Sequence, residues 1–395
     1  MHFLINGMFW DKPNTGSGQY LHGLLRRLPH VAPQHRYTLL LPAAETAAPP
    51  RLPGIDTLTL RTPFDRRSRN LAKLAFEQII LPRATALLAR SDARLFVPYA
   101  APPLQSALPV ITTVHDIIWW LLPEYRGNPL QRLYFRLVVA GIRHAAAILT
   151  DSQHSRKDII TALDLPAARV HSIPLAAAER YTPGDTAAAR AEVAVRYGLR
   201  EPFVYYVGGL DVRKNVPLLL HAFARLQATH PQPARLAIAG KMPAGKPQLF
   251  PNLDALIAEL KLEQHISRIE VPFEDGPLLY RAATLFAFPS SYEGFGLGPL
   301  EAMACGTPVL CSNSSSLPEV VADAAITRAP DDIAGWAETL AELLANAALR
   351  NDLRRRGLQR AAQFSWQRVA AETVETLERD RGSGILSTIA FLSDG

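Results

Sequence analysis

The stretch Ser290-Ser291-Tyr292-Glu293-Gly294-Phe295-Gly296-Leu297-Gly298-Pro299-Leu300-Glu301-Ala302-Met303-Ala304-Cys305-Gly306-Thr307-Pro308-Val309 decides how the chain is read. It follows an apolar run, Leu285-Phe286-Ala287-Phe288, that reads as a buried strand. Pro299 suits a first helical turn and Gly306 suits the position just past a helix end, so a short helix lies between them. Glycines at 294, 296 and 298 let backbone N–H groups approach a ligand closely. The helix behind them offers unpaired N–H groups and a positive dipole end, which favour an anion such as a diphosphate. Glu293 lies before the turn and Glu301 near the helix start, a layout suited to holding hydroxyls on two parts of one phosphorylated ligand.

Working outward, the same rhythm of short apolar strands and helices fills the chain. Runs recur at His2–Asn6, Tyr37–Leu41, Thr57–Leu60, Arg94–Val97, Val110–Val114 and Ala147–Thr150. A second set follows at Phe203–Val207, Leu236–Ala239, Arg268–Val271, Leu285–Phe288, Val309–Cys311 and Ala325–Thr327. Continuous apolar strands alternating with helices predict parallel sheets covered on both faces. A chain of 395 residues is long for one core and makes two such units. The pattern breaks near Ala176–Asp185, so the expected division is 1–178, 179–364, a final helix over 365–381, and a tail of 382–395 with partial disorder expected.

Composition narrows the function. Hydrophobic residues make up 48% and charged residues 20%, as in ordinary soluble domains. Nowhere do eighteen uncharged apolar residues run together, which excludes an evident membrane-spanning helix. The basic leader of a signal peptide is missing from Met1-His2-Phe3-Leu4-Ile5-Asn6, and two cysteines, Cys305 and Cys311, cannot build a disulfide framework. The expected setting is therefore the cytoplasm. The net charge of +6 is uneven: residues 1–180 carry 21 Lys/Arg against 12 Asp/Glu, and the remainder is slightly acidic. A basic first half suits an anionic partner such as the inner face of a membrane or a lipid phosphate, and an exposed arginine-rich face accounts for it equally well. Nucleic acid is excluded as a partner, because no reading motif or stacking platform accompanies the charge.

In parallel sheets ligands bind beyond the carboxyl ends of the strands, so the loops there hold the candidates. After the first strand, Gly16 and Gly18 open a helix. After Val110–Val114 come His115-Asp116, with a histidine placed to bond a substrate hydroxyl, and then Trp119-Trp120, able to line a pocket or to pack in the core. After Phe203–Val207 comes Gly208-Gly209-Leu210-Asp211-Val212-Arg213-Lys214-Asn215. Asn215 reads as a helix N-cap with Pro217 in the first turn, which sets Arg213 and Lys214 beside free amides for gripping a diphosphate.

These blocks, with Thr150-Asp151-Ser152-Gln153-His154-Ser155-Arg156 and Phe364-Ser365-Trp366, resemble the family 4 retaining glycosyltransferases of GT-B architecture. The resemblance covers nearly the whole chain, and Glu293-x7-Glu301 is its most specific part. It implies two Rossmann-like domains facing a cleft, the first binding the acceptor and the second a nucleotide-diphosphate sugar, with the last helix crossing back. Residue by residue, it implies Glu301 on the ribose and Glu293 on the donor sugar, helped by the amides of Gly294, Phe295, Gly296 and Leu297. Lys214 and Arg213 would neutralise the leaving diphosphate, Gly16 would approach it from the opposing domain, and His115 would contact the sugar near the reacting carbon. Lys241, Pro272 and Phe273 would lie at the base. One departure is Gly209, where many members carry an arginine; Arg213 would then supply that charge.

The implied reaction needs no cofactor, and the absence of Asp-x-Asp fits metal independence. The Gly-Gly-Leu-Asp-Val-Arg-Lys-Asn form resembles bacterial mannosyltransferases of surface-polysaccharide assembly. That favours mannose from GDP-mannose and a lipid-linked or glycan acceptor. A UDP-sugar donor, or a nucleotide-sugar 2-epimerase on the same architecture, is the alternative.

Overall fold

The chain forms two parallel sheets, each flanked by helices, in a computed structural model that describes residues 1–46, 48–200, 202–229, 234–240 and 248–379. The first sheet holds β1 (His2–Asn6), β2 (Arg36–Pro42), β3 (Ile55–Leu60), β4 (Ala93–Val97), β5 (Val110–Thr113), β6 (Ala147–Thr150) and β7 (Val170–Ser172) in the order β3-β2-β1-β4-β5-β6-β7. The second holds β8 (Phe203–Val207), β9 (Arg235–Ala239), β10 (Ile266–Ile269), β11 (Leu285–Phe288), β12 (Val309–Ser312) and β13 (Ile326–Arg328) in the order β10-β9-β8-β11-β12-β13. Every pairing is parallel. All residues of β1, β4, β5, β6 and β11 are buried, as strands covered on both faces by helices require.

Both sheets reverse their winding at one point: between β1 and β4 in the first, between β8 and β11 in the second. Such a switch point leaves a crevice where neighbouring loops diverge. The loops after β8 and β11 open at the second of these points, which brings Arg213 and Lys214 onto Glu293.

The last described helix, Trp366–Arg379, packs on the first domain. Its anchor is Trp366, whose indole N–H donates to Ala177 O at 3.1 Å. The ring fills the space left by Gly23, where a Cβ would come within 2.4 Å of it. Farther along, Glu378 Oε1 lies 2.6 Å from His35 Nε2 of the first domain. The linker carbonyl at Ala177 is thus held by the last described helix, which is itself seated on the first one, Gly16–Leu25.

Three details correct the sequence reading. β7 was not expected; it is three residues long and only Val170 of it is fully buried, too little for an apolar run to show. The strand expected over Arg268–Val271 lies two residues earlier, at Ile266–Ile269. Asn215 precedes its helix in the left-handed conformation (φ 52°), not the extended one of an N-cap, and its side chain donates to Pro330 O at 2.7 Å. The tail 382–395 and the end of the region 365–381 lie outside the described residues.

Candidate active site between the two domains

Local sequence explains the shape of the central loop. β11 ends at Phe288, and the eight residues 289–296 separate it from the helix Leu297–Cys305. Gly296 stands before that helix at φ 126°, a backbone region closed to other residues, and Gly306 ends it at φ 78°. The loop is held by a serine run after β12 that sequence reasoning did not single out. Glu293 N–H donates to Ser315 Oγ at 2.8 Å, and Ser316 Oγ donates to Glu293 O and Phe295 O at 2.9 and 2.6 Å. The signal was present: Ser314-Ser315-Ser316 also follows a strand's carboxyl end.

Glu293, Arg213 and Lys214 form one buried charge cluster. Lys214 Nζ lies 2.6 Å from Glu293 Oε1, and Arg213 donates to Glu293 Oε2 and to Tyr292 O, both at 2.9 Å. Burial works against the Glu293 carboxylate, but Lys214 and then Arg213 outweigh it and hold it below the usual carboxylate range. Burial likewise opposes the Arg213 charge, and Glu293, Asp211 and Asp116 more than restore it. The space at Gly209 is taken: a Cβ there would come 2.6 Å from Asp211 Oδ2. An arginine at 209 would displace that carboxylate, whereas Arg213 reaches the cluster without doing so.

The first domain closes directly on this loop. Ser152 Oγ and Ser155 Oγ both donate to Gly294 O, at 2.7 and 2.9 Å. The Glu319 carboxylate accepts the N–H groups of Gln153 and His154 at 2.8 and 2.7 Å, capping the helix Gln153–Leu163 from the other domain. A Cβ on Gly294 would come 2.8 Å from His115 O, so only glycine fits against the histidine's backbone.

His115 is thereby brought beside the cluster. Its Nδ1 lies 2.8 Å from Asp151 Oδ2, while its Nε2 is buried near the Pro98 backbone without a well-formed hydrogen bond among the described residues. Burial opposes protonation, yet Asp151 and Asp116 raise the imidazole above its ordinary value. An oriented imidazole whose second nitrogen lacks a well-formed hydrogen bond is suited to a ligand hydroxyl or oxyanion. Asp151 was visible in the sequence but not assigned a role; no spacing rule joins positions so far apart.

Glu301 sits apart from the cluster. Tyr280 OH donates to its Oε2 at 3.3 Å, and burial pushes its carboxyl up to about 7 against the pull of Tyr280, Arg180 and Tyr181. Arg180 lies 3.3 Å over the ring of Phe273, the residue after Pro272, so one face of the expected base-binding residue is covered by a guanidinium. A cavity of about 210 Å³ adjoins these residues, lined among others by Gln19, His22, Arg180, Phe273 and Trp366. Gly16, in the first turn of the helix Gly16–Leu25, has open space where a side chain would be. Phe295 precedes Gly296 in the loop and Leu297 opens the helix after it. Lys241 lies outside the described residues.

Two parallel-sheet domains that close on each other through loops at the carboxyl ends of their strands, with the last described helix returning to the first, define the GT-B class of glycosyltransferase folds. The comparisons agree. "Glycosyl transferases group 1" matches residues 194–360 and "Glycosyl transferase 4-like domain" matches residues 15–176. The chain is 35% identical over 67% of its length to O-antigen chain mannosyltransferase B of Escherichia coli, covering 68% of that protein. It is 31% identical over 68% of its length to the serotype-specific mannosyltransferase WbdA of Escherichia coli, covering 33% of that longer protein. Sucrose-phosphate synthase from Thermosynechococcus elongatus shares the fold, with a TM-score of 0.73 at 20% identity over 95% of this chain and 98% of that one. The protein belongs to the glycosyl transferases group 1 family and is a glycosyltransferase.

Proposed function

We propose that this chain is a retaining mannosyltransferase, moving mannose from GDP-mannose to a lipid-linked or growing polysaccharide acceptor in cell-surface glycan synthesis. The observation that carries the reading is the buried Arg213–Lys214–Glu293 cluster at the switch point of the second domain, with the His115 backbone packed on the adjoining Gly294. Breaking a sugar–phosphate bond places negative charge on the departing diphosphate and positive charge on the sugar ring. Two buried cations and the amides at the start of the helix Leu297–Cys305 stabilise the former, and their positions are fixed before the donor arrives. The positive charge needed by the leaving group comes from these side chains, so the proposed mechanism uses neither metal nor cofactor.

Glu293 now neutralises Arg213 and Lys214. A bound diphosphate takes over that task and frees the carboxylate for the hydroxyls of the donor sugar. Glu301 accepts the ribose hydroxyls. His115, oriented by Asp151, offers Nε2 to the sugar beside the reacting carbon, and Gly16 presents backbone to the diphosphate. Same-face attack, with the leaving phosphate taking the acceptor's proton, gives retention. The mannose assignment is supported by the names of the two Escherichia coli relatives. The basic first half supports an acceptor at the inner membrane face, with the protein peripheral there; no described helix is long and apolar enough to cross a membrane.

The test is release of GDP from GDP-mannose in the presence of a polyprenyl-diphosphate glycan, with retention read from the anomeric configuration of the product. Turnover of UDP-glucose in place of GDP-mannose would overturn the donor assignment, and an inverted product the mechanism.

A further inference from the structure

The segment 115–125 spans the cleft between two contacts with the donor domain. At one end His115 and Asp116 pack against Gly294, where a Cβ would meet Asp116 Cβ at 2.9 Å. At the other end Tyr125 OH donates to Asp211, the carboxylate 3.4 Å from Arg213 Nε. Between them Asp116 Oδ1 accepts the N–H of Ile118 at 3.1 Å and starts the short helix Ile118–Leu121. That helix carries Trp119 and Trp120.

Both indoles pack on the first domain's core and both remain partly exposed. Trp119 lies with its ring centroid 4.8 Å from that of Phe135 at 33°, and Trp120 stands edge-on to it at 6.2 Å and 75°. Trp336 and Trp366 donate their indole N–H groups to Ala329 O and Ala177 O. Trp119 and Trp120 have no acceptor among the described residues, and their N–H groups are not sealed from solvent.

Flat apolar faces with unclaimed N–H donors at their edges match a pyranose ring, whose C–H face is apolar and whose rim carries hydroxyls. We propose that Trp119 and Trp120 form the subsite for the terminal hexose of the acceptor glycan, which they hold beside His115 and Glu293. The inference rests on the transferase reading above and names the acceptor-binding residues within it. The occupant is the glycan end and not the lipid, because the pair lies on the segment whose two ends pack on the donor-domain loops at Gly294 and Asp211, where the acceptor hydroxyl has to be delivered.

The test uses the full chain with α-linked mannotriose as probe, GDP present, and tryptophan emission as the readout. Wild-type protein is expected to give a saturable change, with an affinity about tenfold weaker in Trp119→Ala or Trp120→Ala and largely retained in Trp119→Phe. Calorimetric GDP affinity is expected to stay within about twofold in all variants, which also shows that they are folded. No saturable response in the wild type, a response to anionic vesicles in its place, or unchanged affinity in both alanine variants would each overturn the subsite. Failure of the wild type to bind GDP would instead strike the GDP-mannose reading, since the mannotriose titration can also be run without nucleotide.

Discussion

Glu293 and Glu301 belong to one loop-and-helix unit, yet they occupy opposite electrostatic regions. Glu293 meets two cations within 3 Å and stays ionised in spite of burial. Glu301 meets tyrosine hydroxyls and a more distant guanidinium, and burial prevails, lifting its carboxyl to about 7. Equal burial thus gives contrary outcomes, and partners within hydrogen-bonding reach decide which. One acid is a fixed counter-charge and the other a group that titrates near neutrality.

The strongest way to break this comparison is to remove the fixed charge. Glu293→Ala leaves Arg213 and Lys214 buried without their carboxylate and the donor sugar without its acceptor. Donor turnover is expected to fall by about 10²–10³-fold, as when a preorganised polar group is lost. Turnover within a few-fold of wild type would show that the cluster is structural.

A smaller effect sharpens the other half of the contrast. With a carboxyl at about 7, Glu301 is about one-tenth ionised at pH 6 and about nine-tenths at pH 8. Ribose hydroxyls donate best to the ionised form, so nucleotide affinity is expected to rise through neutrality and to flatten in Glu301→Gln. Calorimetric titration of GDP across that range reads it. The groups facing this carboxyl are Arg180, Tyr181, Tyr280 and Cys305, and burial keeps the last three neutral there. The same raised value has a stability consequence of fixed sign. The folded chain holds this proton more tightly than the unfolded one, so the contribution is full at low pH and lost as pH rises through about 7.

Asp151→Asn tests the positioning of His115. It removes the charge that raises the imidazole, so the basic group in the pH–rate profile is expected to shift down, with about a tenfold loss in turnover. An unchanged profile would mean that Asp151 serves packing alone. The mildest change is Ser155→Ala, which removes one of two hydroxyls on Gly294 O and leaves the Ser152 cap of the helix Gln153–Leu163 in place. It is expected to cost about 1 kcal/mol of domain closure, read as a larger radius of gyration in solution scattering.

How far sequence reaches is clear from particular elements. Apolar runs such as Leu285–Phe288 announced the buried strands, because both faces of a parallel sheet are covered. Val170–Ser172 did not, since an edge strand of that length has no such run. Within the site, the glycines and acids around 293–301 were legible because their spacing is local. The pairs that set the charges are not local: His115 with Asp151, and Lys214 with Glu293, come together only through the packing of separate loops. Asn215 shows a third limit, since its composition suits a cap while its backbone adopts the left-handed region.

The seat of Trp366 in the gap at Gly23 carries a consequence for the order of assembly. The helix Gly16–Leu25 is synthesised well before the residue that covers Gly23. Until residue 366 emerges, that face has no partner and the linker carbonyl at Ala177 lacks its donor. The first domain is therefore completed only when a segment far later in the sequence returns to it.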